Sequence, residues 1–386
     1  MIPRQQGAEL SPGLLPSGRA REILKRFPAR KIDKLLLFAA LALAVFGILM
    51  IYSATRADNP STYYLKKQLA AFFISVVAML LMMSFDYRKL MPYSRIIYAV
   101  SIVSLIAVFV FAPRGGTRGW IPLFVFDLQP SELAKLVVII ALATFIADRR
   151  MDLDSNKEFL KALAIAGVPM LLIFLEPDFG MTLSIFAILV VMLLLGGARL
   201  RQVGVLVAGV IGAVALAIPL GILSGSRLSR LLVFVNPNMD PLQSGYNLMQ
   251  SKIAIGSGQL VGKGLFQGTQ TNLKFIPAHH TDFIFSVVGE ELGFIGGVIL
   301  LTLFGLLLWR CFKIGVTAKD TFGTMLVIGI VAMFFFQILI NMGMTMGIMP
   351  ITGVTLPFMS YGGTSLLVNF IAIGLVLNVG MRRFQA

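Results

Sequence analysis

Two histidines and three carboxylates fall within thirteen consecutive positions of this sequence: His279, His280, Asp282, Glu290 and Glu291. The chain has no other histidine, and an apolar run starts directly after Asp282. A carboxylate half-buried where an apolar segment meets water can act as a general base. The same residue, or Thr281, can instead cap the helix that follows. Adjacent histidines in an extended segment point to opposite sides, so only one could ligate a given ion. With no His-x-x-x-His spacing and no cysteine pair, zinc is disfavoured. A loosely held divalent cation, Mg2+ or Mn2+, on carboxylate and substrate phosphate oxygens fits better, and nothing calls for an organic cofactor.

Other polar groups recur in apolar surroundings. Glu132 and Lys135 are three apart on one predicted helix face, as a buried ion pair or as a cavity-lining pair with Lys135 open to a phosphate. Arg114-Gly-Gly-Thr-Arg-Gly-Trp120 offers two arginines that can grip a phosphate bidentately. Trp120 can stack on a sugar or anchor at the membrane interface. Glu176-Pro-Asp-Phe-Gly180 is a tight turn in which Asp178 either serves the site or only turns the chain. Lys252, in Gly245–Ile255, and Ser360, in the irregular stretch after Pro350, join His280 among candidate substrate-binding residues. Glu290 and Glu291 lie deeper in the apolar run and are expected to hold neighbouring helices. Gly256-Ser-Gly-Gln-Leu-Val-Gly-Lys-Gly264 imitates a nucleotide loop but lacks its spacing and its Ser or Thr, and reads as a flexible loop.

These groups are few. The chain is 57% hydrophobic and 13% charged, with mean hydropathy +0.87. Ionisable groups at membrane depth are expensive and point to function by default. The frame is an all-α polytopic integral membrane protein with about ten transmembrane helices, over 35–54, 68–84, 96–112, 132–148, 160–175, 180–197, 203–223, 283–308, 321–343 and 364–381. Strands of alternating pattern, as in a membrane barrel, are absent from the sequence. The net charge of +15 would suggest nucleic acid in a soluble chain; here lysines and arginines flank the spans, and no nucleic acid is expected. The single Cys311 excludes an internal disulfide and reads as apolar filler at a cytoplasmic helix end.

Residues 1–34 form a basic cytoplasmic tail with a surface helix near Ala20–Phe27, not a cleaved signal peptide. The spans make up a membrane domain over 35–381, and 382–386 form a short cytoplasmic tail. With both termini inside, inner segments hold 22 Lys or Arg against 11 outside. This places 113–131, 344–363 and the long loop 224–282 between spans seven and eight on the outer face. Within that loop, 245–255 has helical apolar spacing and is expected to lie along the membrane surface.

The motifs together resemble the SEDS family (shape, elongation, division and sporulation) of bacterial membrane proteins. The matching stretches are Gly119-Trp120, Gln129-Pro-Ser-Glu-Leu-Ala-Lys135, Glu176-Pro-Asp178, Gln250–Gly258, Pro277-Ala-His-His-Thr-Asp-Phe-Ile-Phe285, Gly289-Glu-Glu-Leu-Gly293 and Leu356–Gly363. Gly268-Thr-Gln270 and the paired histidines look more like RodA, the elongation branch, than FtsW, the division branch; the sporulation branch stands nearer FtsW and ranks lower.

The resemblance implies a peptidoglycan glycosyltransferase of the bacterial cytoplasmic membrane. Such an enzyme polymerises lipid II on the outer face and works with a class B penicillin-binding protein in the elongation machinery. The family's essential aspartate matches Asp282, its outer-loop tryptophan matches Trp120, and its Glu–Lys pair matches Glu132 and Lys135. Asp282 would take the proton of the acceptor hydroxyl in an inverting displacement of undecaprenyl diphosphate from the growing glycan. Arg114, Arg118, Lys135 or a divalent cation would then meet the charge of the leaving group. A lipid II flippase and a non-catalytic scaffold for the penicillin-binding protein are the competing readings.

Overall fold

The computed structural model describes residues 32–56, 62–111, 119–122, 127–218, 220, 233–234, 240, 244–273, 275 and 280–383. The expected surface helix near Ala20–Phe27 lies outside them. The chain is helical throughout the described residues apart from one isolated bridge, Ile121 to Leu128. Twelve helices follow in order: α1 (Lys34–Thr55), α2 (Tyr63–Ser84), α3 (Leu90–Val108), α4 (Pro130–Asp148), α5 (Asn156–Leu175), α6 (Phe179–Leu195), α7 (Leu200–Ala217), α8 (Ser244–Ser257), α9 (Thr269–Asn272), α10 (Ile284–Val316), α11 (Thr321–Met346) and α12 (Gly363–Arg382). Nine described segments are long and apolar enough to cross a membrane, and α6, with 17 residues, is a shorter apolar helix. It sits at the short end of the spanning range.

Helices α4, α11 and α12 form the centre, buried on most of their surface. Around them α2, α3, α5 and α7 expose Phe73, Val103, Leu171 and Leu216, as helices facing hydrocarbon do. α12 packs chiefly on α2. There Asn378 donates to the carbonyls of Met82 and Phe85, groups that the end of α2 leaves without an intrahelical partner. Cys311 is fully buried in α10, as a filler should be.

Several boundaries differ from the sequence reading, such as the start of α3 at Leu90 rather than 96, and two of the differences have structural consequences. α2 begins at Tyr63, five residues before the predicted span, because the interfacial residues Tyr63, Tyr64, Lys66 and Lys67 join the helix. α10 runs to Val316 but is broken at Gly293, whose φ of 60° and ψ of −155° lie outside helix. Such a break strands backbone donors and acceptors in an apolar setting, where each must find a protein partner.

The partners come from the glycine-rich segment after α8. Phe294 and Ile295 donate to the carbonyls of Gln259 and Leu260 at 2.9 and 3.1 Å, and Lys263 and Gly264 donate to those of Glu290 and Glu291, both at 3.0 Å. The Glu290 side chain accepts from Lys263 Nζ at 2.8 Å, Gln270 N at 2.9 Å and Thr271 Oγ1 at 2.9 Å. Glu291 accepts from Ser53 Oγ at 2.5 Å and Phe266 N at 3.2 Å. The segment read as a flexible loop is therefore a fixed clasp, and both glutamates secure it. α8 forms at the expected place. It packs against α10 and α11, burying Gly245, Leu248, Ser251 and Ala254.

A methyl group at Gly258 would fall on the Gly289 carbonyl, whereas one at Gly256 meets nothing within 4 Å. Gly258→Ala is expected to lower the melting midpoint in detergent, by the equivalent of about 1–3 kcal/mol of overpacking. Gly256→Ala, inside α8, should match or exceed the parent. Equal midpoints for the two variants would refute the clasp.

Candidate active site

Two cavities bear on function; a further one, of about 460 Å³, is lined by the Arg88–Asp320 ion pair and Lys319. The larger, about 550 Å³, lies between α10 and α11 among Phe285, Phe304, Leu339 and Met342 and holds no ionisable side chain. The smaller, about 270 Å³, is lined by Trp120, Gln129, Asp178, Asp282, Thr355 and Tyr361, with the first residues of α12 beside them. The second gathers the side chains that could carry chemistry.

Several chain segments converge on it. Trp120 is held next to the bridge in which Ile121 and Leu128 exchange backbone hydrogen bonds at 2.8 Å. Gln129 is the N-cap of α4, and Pro130 opens that helix, where a missing N–H does no harm. Asp178 caps α6: its Oδ1 accepts from Met181 N at 3.0 Å and its Oδ2 from Gln129 Nε2 at 3.2 Å. Asp282 comes from the turn before α10. A Cβ on Gly353, where φ is +73°, would stand 3.4 Å from Asp282 Oδ2, so the missing side chain keeps the space before the carboxylate open.

The backbone around Asp282 is tied down. Asn341 Nδ2 donates to the Asp282 carbonyl at 2.9 Å and to that of Val354 at 2.8 Å. Ser360 Oγ donates to Thr281 O at 2.7 Å and accepts from Leu356 N at 2.8 Å. Tyr361 N donates to His280 O at 2.9 Å. Helices α4, α10 and α12 begin here with no side-chain cap. The positive ends of their dipoles, and the first N–H groups of α12, whose Thr364 and Ser365 line the cavity, suit an anion.

This arrangement has counterparts. The cell cycle protein family that takes in FtsW, RodA and SpoVE matches residues 33–385. The chain belongs to the SEDS family. Stage V sporulation protein E of Bacillus subtilis is 38% identical, over 90% of this chain and 96% of that protein. The peptidoglycan glycosyltransferase MrdB of Escherichia coli K12 is 36% identical, over 91% and 94%. A solved chain from a study of how a peptidoglycan synthase complex coordinates polymerization and crosslinking matches with TM-score 0.78 and 30% identity, covering 92% of this chain and 99% of that one. Thermus thermophilus RodA matches with TM-score 0.69 and 28% identity, over 92% and 98%.

In this SEDS protein the predicted residues divide. Asp282, Asp178 and Trp120 share the cavity wall. Arg114, Arg118 and His279 lie outside the described residues. His280 stands beside the cavity, its ring 4.6 Å from that of Tyr64. Glu132 and Lys135 pair at 2.7 Å with no exposure and do not line the cavity; Thr355, 3.5 Å from Glu132 Oε1, stands between. An ion pair lets both groups enter the interior, and removing one partner would cost about 3–5 kcal/mol by stranding the other. Lys252 lies over Gly347, the left-handed cap at the carboxyl end of α11, where a cation is favoured. Ser360 is a backbone staple behind the wall. Among the described residues no three His, Cys, Asp or Glu gather as a metal cluster. Asn341 escaped the sequence reading, although an Asn deep in an apolar span is itself a signal.

Glu176, in the turn before α6, is fully buried, and neither carboxyl oxygen has a hydrogen-bond partner. Burial, and then the charge of Asp178, push its pKa up to about 8. A raised carboxyl pKa stabilises the fold while the group is protonated. That contribution is complete below the ordinary carboxylate range and is lost as pH rises towards about 8. Melting midpoints of Glu176→Gln should therefore gain on the parent progressively from pH 5 to 8 and run parallel above. Parallel curves throughout would show that Glu176 is ionised in the native protein.

Proposed function

We propose that this SEDS protein is a peptidoglycan glycosyltransferase that polymerises lipid II into β-1,4-linked glycan at the outer face of the cytoplasmic membrane. The observation that carries the reading is the Asp282 carboxylate on the wall of a cavity onto which uncapped helix N-termini open. One side holds a base and the other favours anionic oxygen.

The acceptor 4-hydroxyl gives its proton to Asp282 as its oxygen bonds to the anomeric carbon of the donor. The bond from that carbon to the diphosphate breaks on the opposite face, and undecaprenyl diphosphate leaves with the electron pair. First-turn N–H groups of α12 meet the developing charge, with the positive end of the α4 dipole nearby. The leaving group needs no protein acid, which fits a site with one base rather than the two-carboxylate plan of glycosidases. A divalent cation would add charge neutralisation at the diphosphate; Asp178 could hold it together with waters and phosphate oxygens. Trp120 and His280 would orient the sugars, and Arg114 and Arg118 would reach the diphosphate.

The cavity faces outward in the orientation set by lysine and arginine counts. Gly268-Thr-Gln270 and the paired histidines favour the elongation branch over the division branch. A class B penicillin-binding protein is then the partner. The flippase reading is less favoured because polar groups gather at one end of the bundle and Glu132–Lys135 is closed off beneath them.

Purified protein is expected to form glycan chains from lipid II. Asp282→Asn should slow polymerisation about 100-fold or more, in the range of general-base loss, with an unchanged melting midpoint. Chains made at the parental rate would remove Asp282 as the base. Transbilayer movement of lipid II without polymerisation by the unsubstituted protein would establish the transporter.

A further inference from the structure

An aromatic row leads out of the cavity. Tyr361 lines the wall, its ring 5.1 Å from that of Tyr64, which is 5.3 Å from Tyr63; His280 flanks the row, 4.6 Å from Tyr64 and 5.6 Å from Tyr361. Tyr63, at the far end, is 46% exposed, and the Lys67 ammonium stands 4.6 Å over its ring. Gln68, one turn after Tyr64 and buried behind the wall, accepts from the cavity residue Gly362 at 3.4 Å and so ties α2 to the start of α12.

We propose that Tyr361, Tyr64 and Tyr63, with His280 beside them, form a saccharide subsite that holds successive N-acetylhexosamine units of a glycan as it passes between the cavity and the surface. The subsite rests on the glycosyltransferase reading and adds to it a track for the strand. Tyrosine offers an apolar face to a pyranose ring and a hydroxyl to its polar edge. The centroid steps of 5.1 and 5.3 Å are close to the length of one sugar unit, and successive rings stand at 89° and 85° to one another, so that ring faces and edges alternate along the row. Interfacial tyrosines commonly serve as lipid anchors. An anchor, however, has no reason to continue ring by ring to the wall that holds Asp282.

The probes are soluble β-1,4-linked N-acetylglucosamine oligomers, a dimer and a tetramer, titrated against the full chain in nanodiscs and followed by calorimetry. The tetramer should bind at least tenfold more tightly than the dimer. Tyr63→Ala should remove most of that advantage, and Tyr63→Phe should restore it. In polymerisation assays Tyr63→Ala should shift product strands to shorter lengths. Tyr63 is the substituted residue because it is exposed and its loss leaves the core intact. Equal affinity for dimer and tetramer, or a Tyr63→Ala protein that matches the parent in tetramer binding and strand length, would overturn the subsite. Oligomer binding needs no turnover, so a protein that binds the tetramer through Tyr63 yet makes no glycan would refute the catalytic reading alone.

Discussion

Non-helical backbone inside an apolar bundle must bond to protein, and this requirement shapes the end of the molecule that carries the site. Residues 347–362 and 280–283 have no helical ladder of their own. They satisfy each other through Ser360 to Thr281 and Tyr361 to His280, and Asn341 bridges Asp282 and Val354 from α11. The same logic governs the break at Gly293, where residues 258–264 supply the missing partners. Asp282 is thus suspended between two irregular segments, each locked by bonds that water could not replace at that depth. A carboxylate held this way keeps its place on the cavity wall without reorganising.

The interior handles charge in three ways. Glu132 is neutralised by Lys135, and Glu290 is surrounded by donors from the clasp. Glu176, whose carboxyl oxygens have no hydrogen-bond partner, has its pKa pushed up by burial. The described part of the cavity wall carries no lysine or arginine. Its attraction for anions comes from helix ends, whose dipoles are fixed and cannot collapse onto Asp178 or Asp282 as a long cationic side chain could. An anion can therefore be held there without a cationic side chain closing on the carboxylates beside it.

Much of this was legible in the residues. Long apolar runs specify spanning helices because the bilayer leaves few alternatives, and the i, i+3 spacing of Glu132 and Lys135 already implied a pair on one face. Asp282 stood out as a carboxylate at the border of an apolar run. What stayed hidden depends on contacts between distant positions. The glycine-rich segment looked loose because the backbone it serves lies some thirty residues further on, in α10. Lys252 and Ser360 have the right chemistry for substrate, but residue type does not reveal facing, and one covers a helix end while the other staples a loop. Tyr63 and Tyr64 were passed over because the second span was started at 68, on the first fully apolar stretch.

The central claim is that the 270 Å³ cavity around Asp282 is where the lipid-linked sugar reacts. A cryo-EM structure of the protein with a bound lipid-diphosphate sugar tests it most directly. The account predicts the diphosphate against the first turns of α4 and α12, with the sugar between Trp120 and Asp282. A headgroup seated elsewhere, with Asp282 touching neither sugar nor diphosphate, would contradict it.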